Sequence, residues 1–316
     1  MKKRIVIIGN GFASLFFIGA FLAPKFFPFF LFFLRRIYSR YDITLIGNGS
    51  FIYYPAIPDF LVGKASRNSV TSNIKPYLWR RNIRFVEDRV VDIRDGGRTG
   101  VSENGSYPHD ALVVGTGPGF MKDDIPGTWE HTLSPCSGPA EMESFQRKLE
   151  GMDGGVIYIG FKLNKRDGFV AGRGGQMYES ACRLHYALEE IGMRDKIAIP
   201  LFSPTPPVGD TGANTARLAD RGIIMDYGYE PAEFVEGGMR DADGTFRKAD
   251  LILFTPGIIA PDWTLDSCLP ISKGGHIDVD QYGRVRGLEQ VFAAGDCANH
   301  ENPPPWVPHQ AHMAQL

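Results

Sequence analysis

One stretch near the start, Lys3-Arg4-Ile5-Val6-Ile7-Ile8-Gly9-Asn10-Gly11-Phe12-Ala13-Ser14, constrains this chain more than any other. Ile5 to Ile8 is an unbroken β-branched run, the pattern of a parallel strand buried on both faces. It runs into a Gly-x-Gly turn, and the small residues Ala13 and Ser14 then open a helix that starts near Phe12. Gly9 permits a tight turn, and Gly11 lets the backbone approach a pyrophosphate. The N-terminus of the helix offers unpaired N–H groups to that anion. Ser14 stands where a third glycine is usual, and it is small enough for close helix–strand packing.

A chain of 316 residues can bury a sizeable core, and two domains are expected rather than one. The formal charge of −2 gives no footprint for nucleic acid. Cys136, Cys182, Cys268 and Cys297 are far apart, with neither a C-x-x-C pair nor metal-ligand spacing, so an intracellular, reduced protein is expected. Met1-Lys2-Lys3-Arg4 before apolar residues imitates a signal peptide, but the Gly-x-Gly turn within it argues for a retained first strand and a cytoplasmic chain.

From Leu15 to Leu34 the only charge is Lys25, and Pro24–Leu34 is rich in phenylalanine. The block exceeds what a crossover to the second strand, Asp42–Ile46, requires. Pro24 and Pro28 interrupt a helix there. The block reads as an insertion that dips into the membrane interface, with Lys25, Arg35 and Arg36 as headgroup anchors. The alternative is a block packed against the body or a partner.

After the second strand, Gly47-Asn48-Gly49-Ser50 lacks the acid that commonly holds an adenosine ribose, leaving Asn48 for that role. Phe51–Pro58 reads as a rigid proline loop, residues 72–81 as a helix, and 82–86 and 89–93 as strands, with a hairpin at Asp95-Gly96-Gly97. Asp110–Gly117 is a buried strand ending in the small turn Gly115-Thr116-Gly117. Residues 118–134 form a linker, followed by a helix over 141–149 and a second βα unit beginning at Gly154. That unit carries Gly172-Arg173-Gly174 ahead of a helix over Ser180–Ile191, with Met177 at the third position of the turn. Its next strand, Lys196–Phe202, ends without an acid. Lys162, Lys165, Arg166 and Arg173 either hold an anion or form a solvated basic loop. Asp250–Gly257 repeats the logic of residues 110–117. Val291–Ala293 then delivers Asp296, beside Gly295, to the sheet edge, where a carboxylate can accept hydrogen bonds from ribityl hydroxyls.

Gly9-x-Gly11, Gly115-Thr116-Gly117, Thr255-Pro256-Gly257 and Val291–Asp296, in this order, resemble the flavoproteins with two dinucleotide-binding domains, the pyridine nucleotide-disulfide oxidoreductases. Within them the chain is similar to sulfide:quinone oxidoreductases in Phe51–Pro58, in Ser134-Pro135-Cys136 and in Gly175–Glu179. It is similar to type II NADH dehydrogenases in Pro308–Gln315. The resemblance implies an α/β fold of two Rossmann-like domains, the second inserted in the first. Residues 1–120 and 262–316 would form the FAD domain, and 121–261 a NAD-like or substrate domain.

It further implies FAD held by Gly9, Gly11, Phe12, Ala13, Ser14, Asn48, Pro55, Val90, Gly115, Thr116, Gly117, Gly295, Asp296, Gln310 and Ala311, with Pro55 and Ala311 near the isoalloxazine. Two electrons would pass from a small donor, NADH or a sulfide-like reductant, through FAD to a quinone or similar acceptor. NAD(P)H is a second cofactor on the dehydrogenase alternative. A non-catalytic flavin-binding or assembly protein is the alternative of another class. Glu179 and Cys136 are the candidate catalytic residues. The sulfide enzymes use a cysteine pair, of which one member has Arg173 in its place here and the other would follow Leu316. Either the chain is a fragment, or Pro24–Leu34 replaces the family's C-terminal tail as a peripheral contact with the cytoplasmic membrane.

Overall fold

The computed structural model describes residues 1–22, 40–166, 174–204 and 213–300. Pro24–Leu34, Gly172, Arg173, Gln310 and Ala311 lie outside these residues.

The first strand is buried on both faces because its side chains alternate between two apolar layers. β1 (Lys3–Ile8) sends Ile5 and Ile7 into one core and Val6 and Ile8 into another. The first layer is covered by α1 (Phe12–Leu22), which is apolar all round and supplies Ile18 and Leu22. β2 (Tyr41–Gly47), β3 (Arg84–Glu87), β4 (Ala111–Val114) and a late strand, here β9 (Val291–Ala293), complete one parallel sheet. Its order is β9-β4-β1-β2-β3, so the winding direction reverses between β1 and β4. In an open α/β sheet, the crevice outside the strand ends at such a reversal is where ligands bind.

The middle of the chain repeats this plan. β5 (Gly155–Phe161) pairs in parallel with β6 (Leu201–Ser203) and β8 (Leu251–Thr255), and β6 pairs with β7 (Met225–Tyr227). The strand expected over Lys196–Phe202 is split into Ile197–Ala198 and Leu201–Ser203, both on β5. Pro200, between them, has no N–H to give the ladder, although its carbonyl accepts from the Ile159 N–H at 3.0 Å. In each half an antiparallel three-stranded meander links the third strand to the fourth: Val90–Arg94, Thr99–Ser102 and Ser106–Pro108 in the first, Glu233–Val235, Gly238–Arg240 and Phe246–Lys248 in the second. Chain exit and return run side by side, since Gly119–Phe120 pairs antiparallel with Ile258–Ile259.

Two helices of the middle unit face the first. α2 (Pro139–Glu150) and α3 (Gly174–Glu190) bury Met142, Phe145, Met177, Ala181 and Leu184 in one cluster with Ile57, Phe60, Leu61 and Val70. The proline loop is therefore an arm docked on the other unit. It contains a short strand at Ser50–Ile52, a 3₁₀ turn at Tyr54–Ala56 and a helix at Ile57–Leu61, where the sequence reading expected only loop. Arg183–Asp59 at 3.2 Å and the Lys64–Glu190 pair line its edge. α3 also begins six residues before the expected Ser180, because Gly174 lies against the Phe161 ring, where a Cβ would come within 2.5 Å of it. The helix expected over 72–81 shortens to Lys75–Trp79, since Thr71–Asn73 pairs with Ser50–Ile52.

On α3, buried His185 accepts at Nδ1 from Arg194 Nε at 2.9 Å and turns Nε2 towards Glu189 at 3.4 Å. Burial is the main cause holding its pKa below the ordinary 6.5. The unfolded chain thus takes up this proton first, so the contribution of His185 to stability is present above pH 6.5 and declines as pH falls through that value. Replacing His185 by Gln should flatten the acid limb of a denaturation-midpoint profile, and an unchanged limb would exclude this contribution.

Candidate functional site

The carboxyl ends of the first sheet's strands open onto one cavity of about 1130 Å³. Following the strand order, its wall passes from Asp88–Val90 after β3 and Gly47–Asn48 after β2 to Gly9–Ala13 after β1. It continues through Gly115–Pro118 after β4 to Gly295 and Asp296 after β9. Tyr53, Tyr54 and Pro55 of the arm, with Gly175, Gln176 and Glu179 of α3, supply further walls.

Two glycines have separate tasks here. Gly9, at φ +93°, packs on β4's turn so closely that a Cβ would lie 2.4 Å from the Gly115 carbonyl oxygen. Gly11 has nothing within 4 Å of its Cβ position and lines the cavity at the start of α1. A side chain at Gly11 would occupy the space a ligand's phosphates need, next to the positive end of the helix. These residues fit a dinucleotide.

Asn10 stands between the glycines, at the position the Gly-x-Gly motif leaves unspecified. Its Oδ1 accepts from the Asn48 N–H at 3.0 Å, and its Nδ2 donates to the Ser50 carbonyl at 2.5 Å. Asn10 thus staples the first turn to the loop after β2. The Asn48 Oδ1 in turn accepts from the Ser50 N–H at 3.2 Å, shaping that loop at the cavity wall.

At the other side, Asp296 is 7% exposed within the wall. Its neighbour Cys297 is fully buried, with Sγ donating to the Ala294 carbonyl at 3.4 Å. Burial pushes the Cys297 thiol up to about 11, so it stays protonated and is no nucleophile.

Phe12, Ala13, Pro55, Val90, Thr116, Gly117 and Gly295 all line the cavity. Ser14 lies beneath it, wholly buried, with its hydroxyl donating to the Gly115 carbonyl at 3.4 Å. Glu179 is on the wall but half exposed, 3.8 Å from Arg183. Cys136 sits one layer behind the wall, buried, its Sγ 3.6 Å from Gln176 Oε1. Lys162 and Arg166 reach Asp124 at 3.5 and 3.1 Å, so part of the basic loop ties down the linker. Phe16 and Trp263 line the cavity without a motif to mark them, and Gln176 lines it from within the Gly175–Glu179 segment. No cluster of His, Cys, Asp or Glu suited to a metal occurs among the described residues.

A family model described as pyridine nucleotide-disulphide oxidoreductase matches residues 3–315. A NADH dehydrogenase-like protein of Mycobacterium tuberculosis is 27% identical over 307 residues, covering 93% of this chain and 72% of that protein. A sulfide-quinone reductase of Aquifex aeolicus is 26% identical over 227 residues, covering 70% of this chain and 47% of that protein. The solved structure of the sulfide:quinone oxidoreductase from Aquifex aeolicus superposes with a TM-score of 0.80 at 21% identity, over 99% of this chain and 75% of that one.

The two glycines separate fold from binding. Gly11→Ala should leave thermal unfolding unchanged while weakening dinucleotide retention by about tenfold or more, the scale of one displaced charge-assisted contact. Gly9→Ala should destabilise the apo-protein itself. Equal effects of both changes on unfolding would contradict this division.

Proposed function

The chain belongs to the pyridine nucleotide-disulphide oxidoreductase family, and on that premise we propose that it is an FAD-dependent oxidoreductase passing two electrons from a small donor to a quinone or similar acceptor. The observation carrying this reading is that turns from all five strands of the first sheet, with Gly9, Gly11, Gly117 and Asp296 among them, converge on one dinucleotide-sized cavity. When bound, FAD supplies the two-electron chemistry; the protein binds, orients and shields it.

In this reading Gly9–Ala13 and the α1 N-terminus hold the pyrophosphate. Asn48 and Val90 border the adenosine end, and Asp296 accepts hydrogen bonds from ribityl hydroxyls. Tyr54, Pro55 and Thr116 wall the reactive end, where Glu179 is placed to move a proton or steer a donor. Residues 1–120 and 262–316 form the cofactor domain, and 121–261 the donor-side domain.

The middle sheet, in the order β8-β5-β6-β7, repeats the β4-β1-β2-β3 order of the first, which keeps NADH open as the donor. Against it, Phe161 and Met177 are buried at the start of α3, and Thr255 Oγ1 lies 3.3 Å from Met177 Sδ, so side chains fill part of the place a second dinucleotide would use. Cys136, behind the wall, offers no cysteine pair among the described residues for passing sulfur. No helix among the described residues is long and apolar enough to cross a membrane. Peripheral contact with the membrane interface is assigned to Pro24–Leu34 on its sequence, and deletion of that block should move the protein from membrane to soluble fractions.

The purified protein should carry, or take up, FAD; failure to do so overturns this reading in favour of a non-catalytic role. Anaerobic spectra after adding NADH or sulfide then identify the donor, as bleaching by NADH makes the chain a type II-like dehydrogenase. Glu179→Gln should slow flavin reduction or reoxidation on the order of tenfold or more. Unchanged rates would remove Glu179 from the reaction.

A further inference from the structure

Three segments distant in sequence meet directly behind the arm's wall of the cavity. Near the start of α3, Gln176 Nε2 donates to the Tyr54 carbonyl at 3.3 Å. Its Oε1 accepts from the Cys136 thiol at 3.6 Å. The ring of contacts is closed by the Tyr54 hydroxyl, which donates to the Cys136 carbonyl at 3.3 Å. Cys136 is itself held: its N–H donates to Ser134 Oγ at 3.3 Å, and its Sγ lies 3.9 Å from Thr255 Oγ1 at the end of β8. Tyr54, Pro55 and Gln176 all line the cavity.

The turn's backbone bonds stay within residues 53–70 of the arm. Pro55 has no N–H to donate; Tyr53 N–H donates to the Val70 carbonyl at 2.8 Å, Ala56 N–H to the Tyr53 carbonyl at 3.1 Å, and Ile57 N–H to the Tyr54 carbonyl, which Gln176 shares. Apolar contact extends into the turn, since Tyr54 and Ala56 pack against the cluster that buries Ile57, Phe60 and Leu61. To this the side-chain ring adds the polar contacts that tie both the carbonyl and the hydroxyl of Tyr54 to Gln176 of α3 and to Cys136.

We propose that Gln176 is a positioning residue that fixes the Tyr54–Pro55 wall of the cofactor cavity by donating to Tyr54 and accepting from Cys136 at once. This rests on the reading that FAD occupies the cavity. A primary amide has both a donor and an acceptor at its tip. A carboxylate can accept from the thiol but has nothing to donate to the Tyr54 carbonyl, whereas a protonated carboxyl can do both. A leucine of similar volume does neither. Glutamate at this position therefore restores the function of glutamine only when protonated.

The test uses the full chain with Gln176→Leu and Gln176→Glu. Two quantities are read: backbone hydrogen exchange of residues 52–57, and the flavin midpoint potential in a dithionite titration, both between about pH 8 and pH 5. In Gln176→Leu the segment should exchange about tenfold faster at unchanged exchange elsewhere, with a shifted potential. In Gln176→Glu both readings should return to the wild-type values as pH falls, through a transition that wild type lacks. If Gln176→Leu fails to fold, this transition still decides the matter. FAD-loaded variants that match wild type in exchange and potential at every pH would overturn the role of Gln176 alone. Failure of the wild type to take up FAD would overturn the cavity reading and the proposal with it.

Discussion

The close approach of two backbone turns, after β1 and after β4, is the constraint on which the rest of this structure depends. The winding of the first sheet reverses between these strands, and the Gly9 Cβ position lies 2.4 Å from the Gly115 carbonyl oxygen. No side chain fits between them. Because they touch, Ser14 can bond back to Gly115, α1 starts directly over the crevice, and Gly11 is left facing open space. The apolar layers on both faces of β1 supply the rigidity: Ile5 and Ile7 on one side, Val6 and Ile8 on the other, are all buried. A rigid sheet with its turns at one edge is the kind of support a binding site needs to keep its geometry.

The second unit repeats four strands of that order for a different end. Its α3 is committed at one end to the core, through Met177 and Phe161, and at its cavity face to the arm, through Gln176 and Arg183. The arm is continuous in sequence with the first unit yet buries Ile57, Phe60 and Leu61 in the core of the second. The cavity wall is consequently shared between units. The half-exposed pair between Glu179, on the wall, and Arg183 adds little stability of its own in water.

Much of this was legible in the linear chain because the relevant signals are local. A β-branched run followed by Gly-x-Gly encodes a strand, a turn and a helix start within a dozen residues, and the Gly115–Gly117 and Val291–Asp296 stretches do the same for two more strand ends. The strand order and the convergence of the turns follow from parallel pairing across more than a hundred residues, which motif order indicated only through family resemblance. Local reading failed where tertiary contacts overrode it. Pro200 split a strand that reads as continuous, Thr71–Asn73 left an expected helix to pair with Ser50–Ile52, and α3 extended towards Phe161 past its apparent start.

By itself, the sequence determined the α/β class, the first strand–turn–helix, the glycine turns and the acid at the sheet edge, since each depends on backbone freedom and side-chain period over a few residues. Only the tertiary structure decided that Asn10 staples two turns, that Cys136 lies behind the wall rather than on it, that Lys162 and Arg166 are spent on Asp124, and that Gln176 joins the arm to α3. The physical reason is that hydrogen bonds and ion pairs between segments depend on where a side chain's tip lies to within a fraction of an ångström. That position is set by packing across the whole chain, which residue spacing does not encode.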